Sequence, residues 1–230
     1  MKAVFFDLYH TLVRYEPPRE EIQAGVLNDG GIEVRPEVLS WPLVAADEFI
    51  YRELAQVPMG QRSEADKMSL WVEYEQVLLR EAGIEIDDQR VLELLGKMQQ
   101  VKMKLVLFDD VVPALRDLSR RGLILGLISN IDRDISPLMN ELGLPPWLQV
   151  VVTSLDAGFT KPHPQIFGLA LDRAGVPAEE AMYVGDQYQV DVVGARGAGM
   201  VGVLLDRGGY FPEVTDCPRI GSLIELGEML

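Results

Sequence analysis

The 230-residue chain is 48% hydrophobic and 25% charged, the balance of a globular protein with room for one sizeable domain or one domain carrying a smaller insert. Its 36 acidic residues against 21 lysines and arginines give a formal charge of −15, which argues against a DNA or RNA partner because neutralising phosphates needs Lys and Arg. No apolar stretch approaches the roughly 20 residues of a membrane helix, Asp7 breaks the first apolar run too early for a secretory signal, and the lone Cys217 excludes an internal disulfide, so a cytoplasmic protein with no membrane partner is expected.

The first element is a short apolar run, Ala3–Phe6, ending at Asp7. Pro17-Pro18 then opens a stretch of different character, from Tyr15 to Val106, with no convincing strand and with helical patterns over Ala45–Ala55, Ser63–Ala82 and Asp87–Gln100. Its aromatic residues Trp41, Tyr51, Trp71 and Tyr74 suit either packing between helices or the lining of a pocket. Beyond residue 105 strands and helices alternate. Val111–Arg121 sets Val112, Leu115 and Leu118 three apart and closes at Gly122; Pro164–Ala174 closes at Gly175. The runs Leu123–Ile128, Val150–Thr153, Met182–Val184 and Val201–Leu205 are continuous rather than alternating, as in strands covered on both faces of a parallel sheet. A last helix is expected around Ser222–Leu230. The expected architecture is α/β: a doubly wound, mostly parallel five-stranded sheet built by residues 1–14 and 107–230, with a helical insert, residues 15–106, after its first strand.

In such a sheet ligands bind beyond the carboxyl ends of the strands. Asp7 ends the first strand, Ser129-Asn130 the next, Thr160-Lys161-Pro162-His163 follows the third, and Gly185-Asp186 ends the fourth with Asp191 soon after. Any one of Asp7, Ser129 and Asp186 alone could be a helix cap. A carboxylate, a hydroxyl, a lysine and a carboxylate pair at one end of the sheet instead suit phosphoryl transfer. A carboxylate can be a covalent nucleophile. A phosphomonoester dianion needs a cation among so many acids, and Mg²⁺ takes hard oxygen ligands. Lys161 and a hydroxyl can stabilise the spreading negative charge.

These segments resemble the four motifs of the haloacid dehalogenase superfamily, in order and over most of the chain. The resemblance implies a Rossmann-like core and a Mg²⁺-dependent hydrolase acting on a small, anionic, phosphorylated metabolite through an aspartyl phosphate. Asp7, Tyr9 and Lys161 would form the catalytic set, and Thr11, Ser129, Asn130 and Lys161 would bind phosphate. Asp7, Asp186, Asp191 and the backbone carbonyl of Tyr9 would hold the metal. The insert looks like the mobile cap of this superfamily, which closes over the substrate and excludes water. The protein would act as a monomer or homodimer.

One position departs from the phosphatase pattern. Where those enzymes carry a second aspartate as acid and base, this chain has Tyr9, a poor base near neutral pH. A tyrosine there is typical of the 2-haloacid dehalogenases, which need no metal but lack the Gly185-Asp186 arrangement. Metal-free dehalogenation, or slow release of a stable phosphoenzyme, are therefore the alternatives to phosphatase turnover. His10 either replaces the missing acid and base or serves the turn, and His163 is expected to orient Lys161.

Overall fold

The computed structural model describes residues 1–230. They fall into two compact units, Met1–Arg14 with Val106–Leu230, and Tyr15–Leu105. In chain order the strands are β1 Ala3–Phe6, β2 Val13–Glu16, β3 Lys104–Leu107, β4 Ile124–Ser129, β5 Val150–Thr153, β6 Ala181–Gly185, β7 Val201–Leu205 and β8 Arg219–Ile220. The helices used below are α1 Arg19–Asp29, α2 Ser40–Gln56, α3 Glu64–Glu81, α4 Asp88–Met98, α5 Val111–Arg120, α6 Ser136–Glu141, α7 Ser154–Ala157 and α8 Pro164–Ala174.

The first unit is built on a six-stranded sheet of order β5-β4-β1-β6-β7-β8, every pair parallel. It is the doubly wound α/β fold expected, with one strand more. The extra strand, β8, is two residues long and pairs Arg219 and Ile220 with Leu204 and Leu205 at the sheet edge, too short to register as an apolar run. Central β1 is buried along its whole length, which is why its sequence is uninterrupted Ala-Val-Phe-Phe. Gly126 on β4 makes room for that: a Cβ there would stand 2.5 Å from the Phe5 ring. Phe5, Phe167 on α8 and Tyr183 on β6 share one apolar cluster, with the Phe167 and Tyr183 rings edge-on at 5.3 Å.

Helix α8 shows how local sequence sets an element. His163 is its N-cap, the ring Nδ1 accepting from the Gln165 N–H at 3.3 Å; Pro164 fills the first turn and Gly175, at φ 66°, ends it. The His163 ring also stacks on Phe159 at 4.2 Å.

The expectation that no strand lies between Tyr15 and Val106 needs correction. Strands β2 and β3 form a two-stranded sheet of their own. Both are short and mostly half-exposed, so neither carries the continuous apolar signal of the main sheet.

The second unit is helical. Helices α1, α3 and α4 and the 3-10 turn Pro36–Leu39 before α2 bury Leu27, Leu78, Leu94 and Leu39 in a common core. Ser63 and Asp66 form a reciprocal capping box at the start of α3, and Asp87 caps α4. Helix α1 follows Pro17-Pro18 and buries Ile22, Ala24, Val26 and Leu27, spacings that give no clean apolar stripe in the sequence. Of the aromatic residues, Trp41 and Trp71 are exposed (41% and 42%), so neither is core packing. Tyr74 instead belongs to a polar group inside the unit: Arg19 pairs with Asp47, the Tyr74 hydroxyl donates to Asp47 at 3.1 Å, and Gln23 donates to the buried Glu75. No helix is long and apolar enough to cross a membrane.

Candidate active site

The parallel register places Phe6 between Leu127 and Val184, so the residues that follow β1, β4 and β6 emerge side by side. Asp7 continues this alignment, its N–H donating to the Val184 carbonyl at 2.9 Å. Asp186 follows β6 directly. Asp191 arrives from the next segment, a turn of π-helix over Tyr188–Val193, a form common at functional sites. Gly185 permits this approach, because a Cβ there would lie 2.2 Å from Asp191 Oδ2. Oxygen atoms of Asp7, Asp186 and Asp191 lie within 4.8 Å of one another.

Lys161 sits against this cluster and is 2% exposed. Its ammonium has three protons and three partners: Asp7 Oδ1 at 2.6 Å, Asp191 Oδ1 at 2.7 Å and the Tyr183 hydroxyl at 2.7 Å. The Tyr183 oxygen lies in turn 3.1 Å from the Ile128 carbonyl and 3.2 Å from Asp191 Oδ1, the acceptors for its own proton. Burial works against the charge on Lys161, but Asp191 and Asp7 outweigh it and raise its pKa. Burial pushes the Asp7 carboxyl from its ordinary 3.8 up to about 6; Lys161 pulls it down while Asp191 pushes it further up.

The remaining expected residues divide. Thr11 is fully buried and its hydroxyl donates to Asp186 Oδ1 at 3.4 Å. Gln187 donates from its side chain to Asp186 at 3.0 Å and from its backbone to Asp191 Oδ2 at 3.0 Å, fixing both acids. Ser129, 2% exposed, stands at the end of β4. Asn130, expected among the phosphate donors, has both amide atoms engaged by the backbone of one residue: Oδ1 accepts from Lys161 N–H at 2.6 Å and Nδ2 donates to the Lys161 carbonyl at 3.1 Å. Its geometry is that of a brace for Lys161. Tyr9 bonds through its hydroxyl to Arg133; burial raises its pKa, with Arg133 opposing and Asp7 adding to the rise. His10 is the only non-glycine residue at positive φ, 58°, which fits a role in the turn.

Tyr183, Gln187 and Arg133 were not legible as site residues. Tyr183 reads as core because it lies inside the run Met182–Val184. The available signal was its hydroxyl, which a tyrosine in a fully buried strand must still satisfy.

A cation fits this donor set. Lys161 pairs with two of the three carboxylates, and the clustered oxygens are hard ligands of the kind a divalent ion such as Mg²⁺ takes.

An open parallel sheet that gathers carboxylates and a lysine at the carboxyl ends of its strands defines a Rossmann-like α/β protein with a carboxylate-based site. The sequence model of the haloacid dehalogenase-like hydrolases matches residues 1–199, and the chain belongs to that family of hydrolases. It is 31% identical to the glyceraldehyde 3-phosphate phosphatase of Methanopyrus kandleri, covering 91% of this chain and 86% of that protein. It is 30% identical to the phosphoserine phosphatase of Thermus thermophilus, covering 98% of each. Among solved structures, the 2-haloacid dehalogenase of Pseudomonas syringae pv. Tomato superposes with a TM-score of 0.57 at 29% identity, over 99% of this chain and 97% of that one.

Proposed function

We propose that the protein is a Mg²⁺-dependent phosphatase acting on a small phosphorylated metabolite through an aspartyl phosphate on Asp7. The observation that carries the reading is the cluster of Asp7, Asp186 and Asp191, whose oxygens lie within 4.8 Å of one another. A phosphate dianion can approach three clustered acids only with a cation, and Mg²⁺ takes such hard oxygen ligands. The full-length likeness to relatives named as phosphatases supports the same reading.

Asp7, Asp186, Asp191 and the Tyr9 carbonyl would hold Mg²⁺, which when bound offsets the charge of the carboxylates and of the substrate phosphate. A carboxylate oxygen of Asp7 attacks phosphorus; the new O–P bond forms as the ester O–P bond breaks, and the leaving oxygen takes a proton from solvent water. Water then attacks phosphorus, giving up a proton to solvent, the P–O bond to Asp7 breaks, and Asp7 returns as a carboxylate with release of inorganic phosphate. Lys161, braced by Asn130, and the hydroxyls of Ser129 and Thr11 stabilise charge on the phosphoryl oxygens. The helical unit, Tyr15–Leu105, acts as the cap that excludes water and selects the substrate.

The test is phosphate release from p-nitrophenyl phosphate in Mg²⁺ and again in EDTA. Release that needs Mg²⁺ and vanishes in an Asp7→Asn variant of unchanged stability supports the proposal; appreciable turnover in that variant rules out Asp7 as nucleophile. Tyr9 and the likeness to the P. syringae dehalogenase favour a second reading, hydrolysis of a 2-haloacid. Halide release from 2-chloropropionate in EDTA, with no phosphate release, would establish it instead.

A further inference from the structure

The loop that carries Asp7 is bent on itself. Leu12 and Val13 N–H groups both donate to the Leu8 carbonyl at 2.9 Å, and His10 N–H donates to Val13 at 2.8 Å. Inside this loop His10 holds φ 58°, a conformation that a residue with a side chain keeps only where its surroundings over-determine the backbone. A bond from outside the loop is therefore informative. Arg207, just past the end of β7, donates from Nη2 to the Thr11 carbonyl at 2.9 Å.

Arg207 is itself rigidly held. Its two terminal nitrogens grip Asp110 at 2.8 and 2.9 Å, and the guanidinium carbon lies 4.0 Å from the centre of the Phe108 ring. Asp110 is fixed from its other side by the Ser222 hydroxyl at 2.7 Å and the Leu223 N–H at 2.9 Å. Phe108 N–H donates to the Leu12 carbonyl at 3.1 Å, so Arg207 and its own ring partner hold consecutive carbonyls of one loop. The guanidinium also leaves its Nε buried without a partner. A group that served only to pair with Asp110 would have no need of the bond to Thr11, and a lysine could make that pair.

We propose that Arg207 is a positioning residue for the nucleophile. Through the Thr11 carbonyl it holds the loop in the turn that sets Asp7 against Lys161 and turns the Thr11 hydroxyl toward Asp186. The kinetic part of this inference rests on the phosphatase reading; the structural part does not.

The discriminating variant is Arg207→Lys, which keeps the charge opposite Asp110 but lacks the planar fork that serves two acceptors at once. Arg207→Ala is its companion. Hydrogen exchange of the whole protein is read first, on the amides of His10, Leu12 and Val13, and needs no turnover. Both variants are expected to exchange about tenfold faster there, with β4 and β6 unchanged. On p-nitrophenyl phosphate with Mg²⁺, kcat is expected to fall by about 10²-fold and KM to change little, since misplacement of the attacking group lowers the rate. Added guanidinium ion is expected to restore part of the Arg207→Ala rate. Unchanged exchange in the loop overturns the proposal. So does a loss of protection spread over the whole sheet with kcat preserved, because Arg207 then serves only the fold. Absence of phosphate release in the unmodified protein removes the phosphatase reading and leaves the exchange result to decide the role of Arg207.

Discussion

Tyr9 stands where a phosphatase of this superfamily carries its acid and base, so Tyr9→Asp is the substitution that asks most of the site. General acid–base catalysis contributes about 10²–10⁴-fold, or roughly 3–5 kcal/mol of barrier. Three influences act on a group at this position, and the structure gives their directions. Burial comes first and raises the pKa of Tyr9, Arg133 lowers it, and Asp7 raises it again, with a net rise. An aspartate there supplies a carboxyl, which can give up a proton and take one back where a phenol of raised pKa cannot near neutral pH. The gain is therefore expected at about 10²–10³-fold. Phosphate release is measured in Mg²⁺ from p-nitrophenyl phosphate, whose phenolate leaves without help, and from glycerol phosphate, whose alkoxide does not. Acceleration confined to glycerol phosphate assigns the new carboxyl to protonation of the leaving oxygen. Equal acceleration of both assigns it to activation of water against the aspartyl phosphate. No acceleration of either refutes the argument and shows that another group, with His10 the first candidate, already does this work.

Tyr183→Phe leaves a proton of the buried Lys161 ammonium and the Ile128 carbonyl without their partner. It is expected to lower the free energy of unfolding by about 1–3 kcal/mol, measured as a shift of the urea midpoint; an unchanged midpoint would show that Tyr183 does not hold Lys161. Glu75→Gln tests the polar group of the helical unit. Burial raises Glu75 from its ordinary 4.5 to about 7, with the bond from Gln23 opposing, and it is 3% exposed. With a pKa raised on folding, its contribution is complete below pH 4.5 and is lost as pH rises through 7. The shift corresponds to about 3 kcal/mol. Glu75→Gln should thus match the parent protein at pH 4.5 and exceed it by about that amount at pH 8, and an equal difference at both pH values would contradict the buried-carboxylate account.

The core strands and the site were legible for a common reason. A strand covered on both faces must be continuously apolar, so the first polar residue after each run marks the sheet's edge, and Asp7, Ser129 and Asp186 stand at those marks. The register then brings them together without further instruction from the sequence. Strands β2, β3 and β8 escaped because their pairing rests on backbone bonds at half-exposed edges, which demand no apolar pattern. Helix α1 escaped because it packs a buried Gln23 and a paired Arg19 beside its apolar residues.

The residues that support the site were hidden for a different reason, and it bears on how the site works. The place of Asn130 is legible and its bonds are not: a strand-end amide suggests a phosphate donor, and its amide bonds in the structure go to the backbone of Lys161, 31 positions away. Tyr183 and Arg207 act over still less local relations, a hydroxyl under a lysine and a guanidinium on a carbonyl 196 positions earlier. None of these contacts leaves a spacing in the sequence. Yet they decide what the legible residues can do, since three clustered carboxylates repel one another. Lys161 is bonded to two of them, and Asn130 and Tyr183 hold Lys161 in turn. The formal charge of −15 says little about this site. What matters is the local cluster of three acids with one buried lysine, which neutral groups brace.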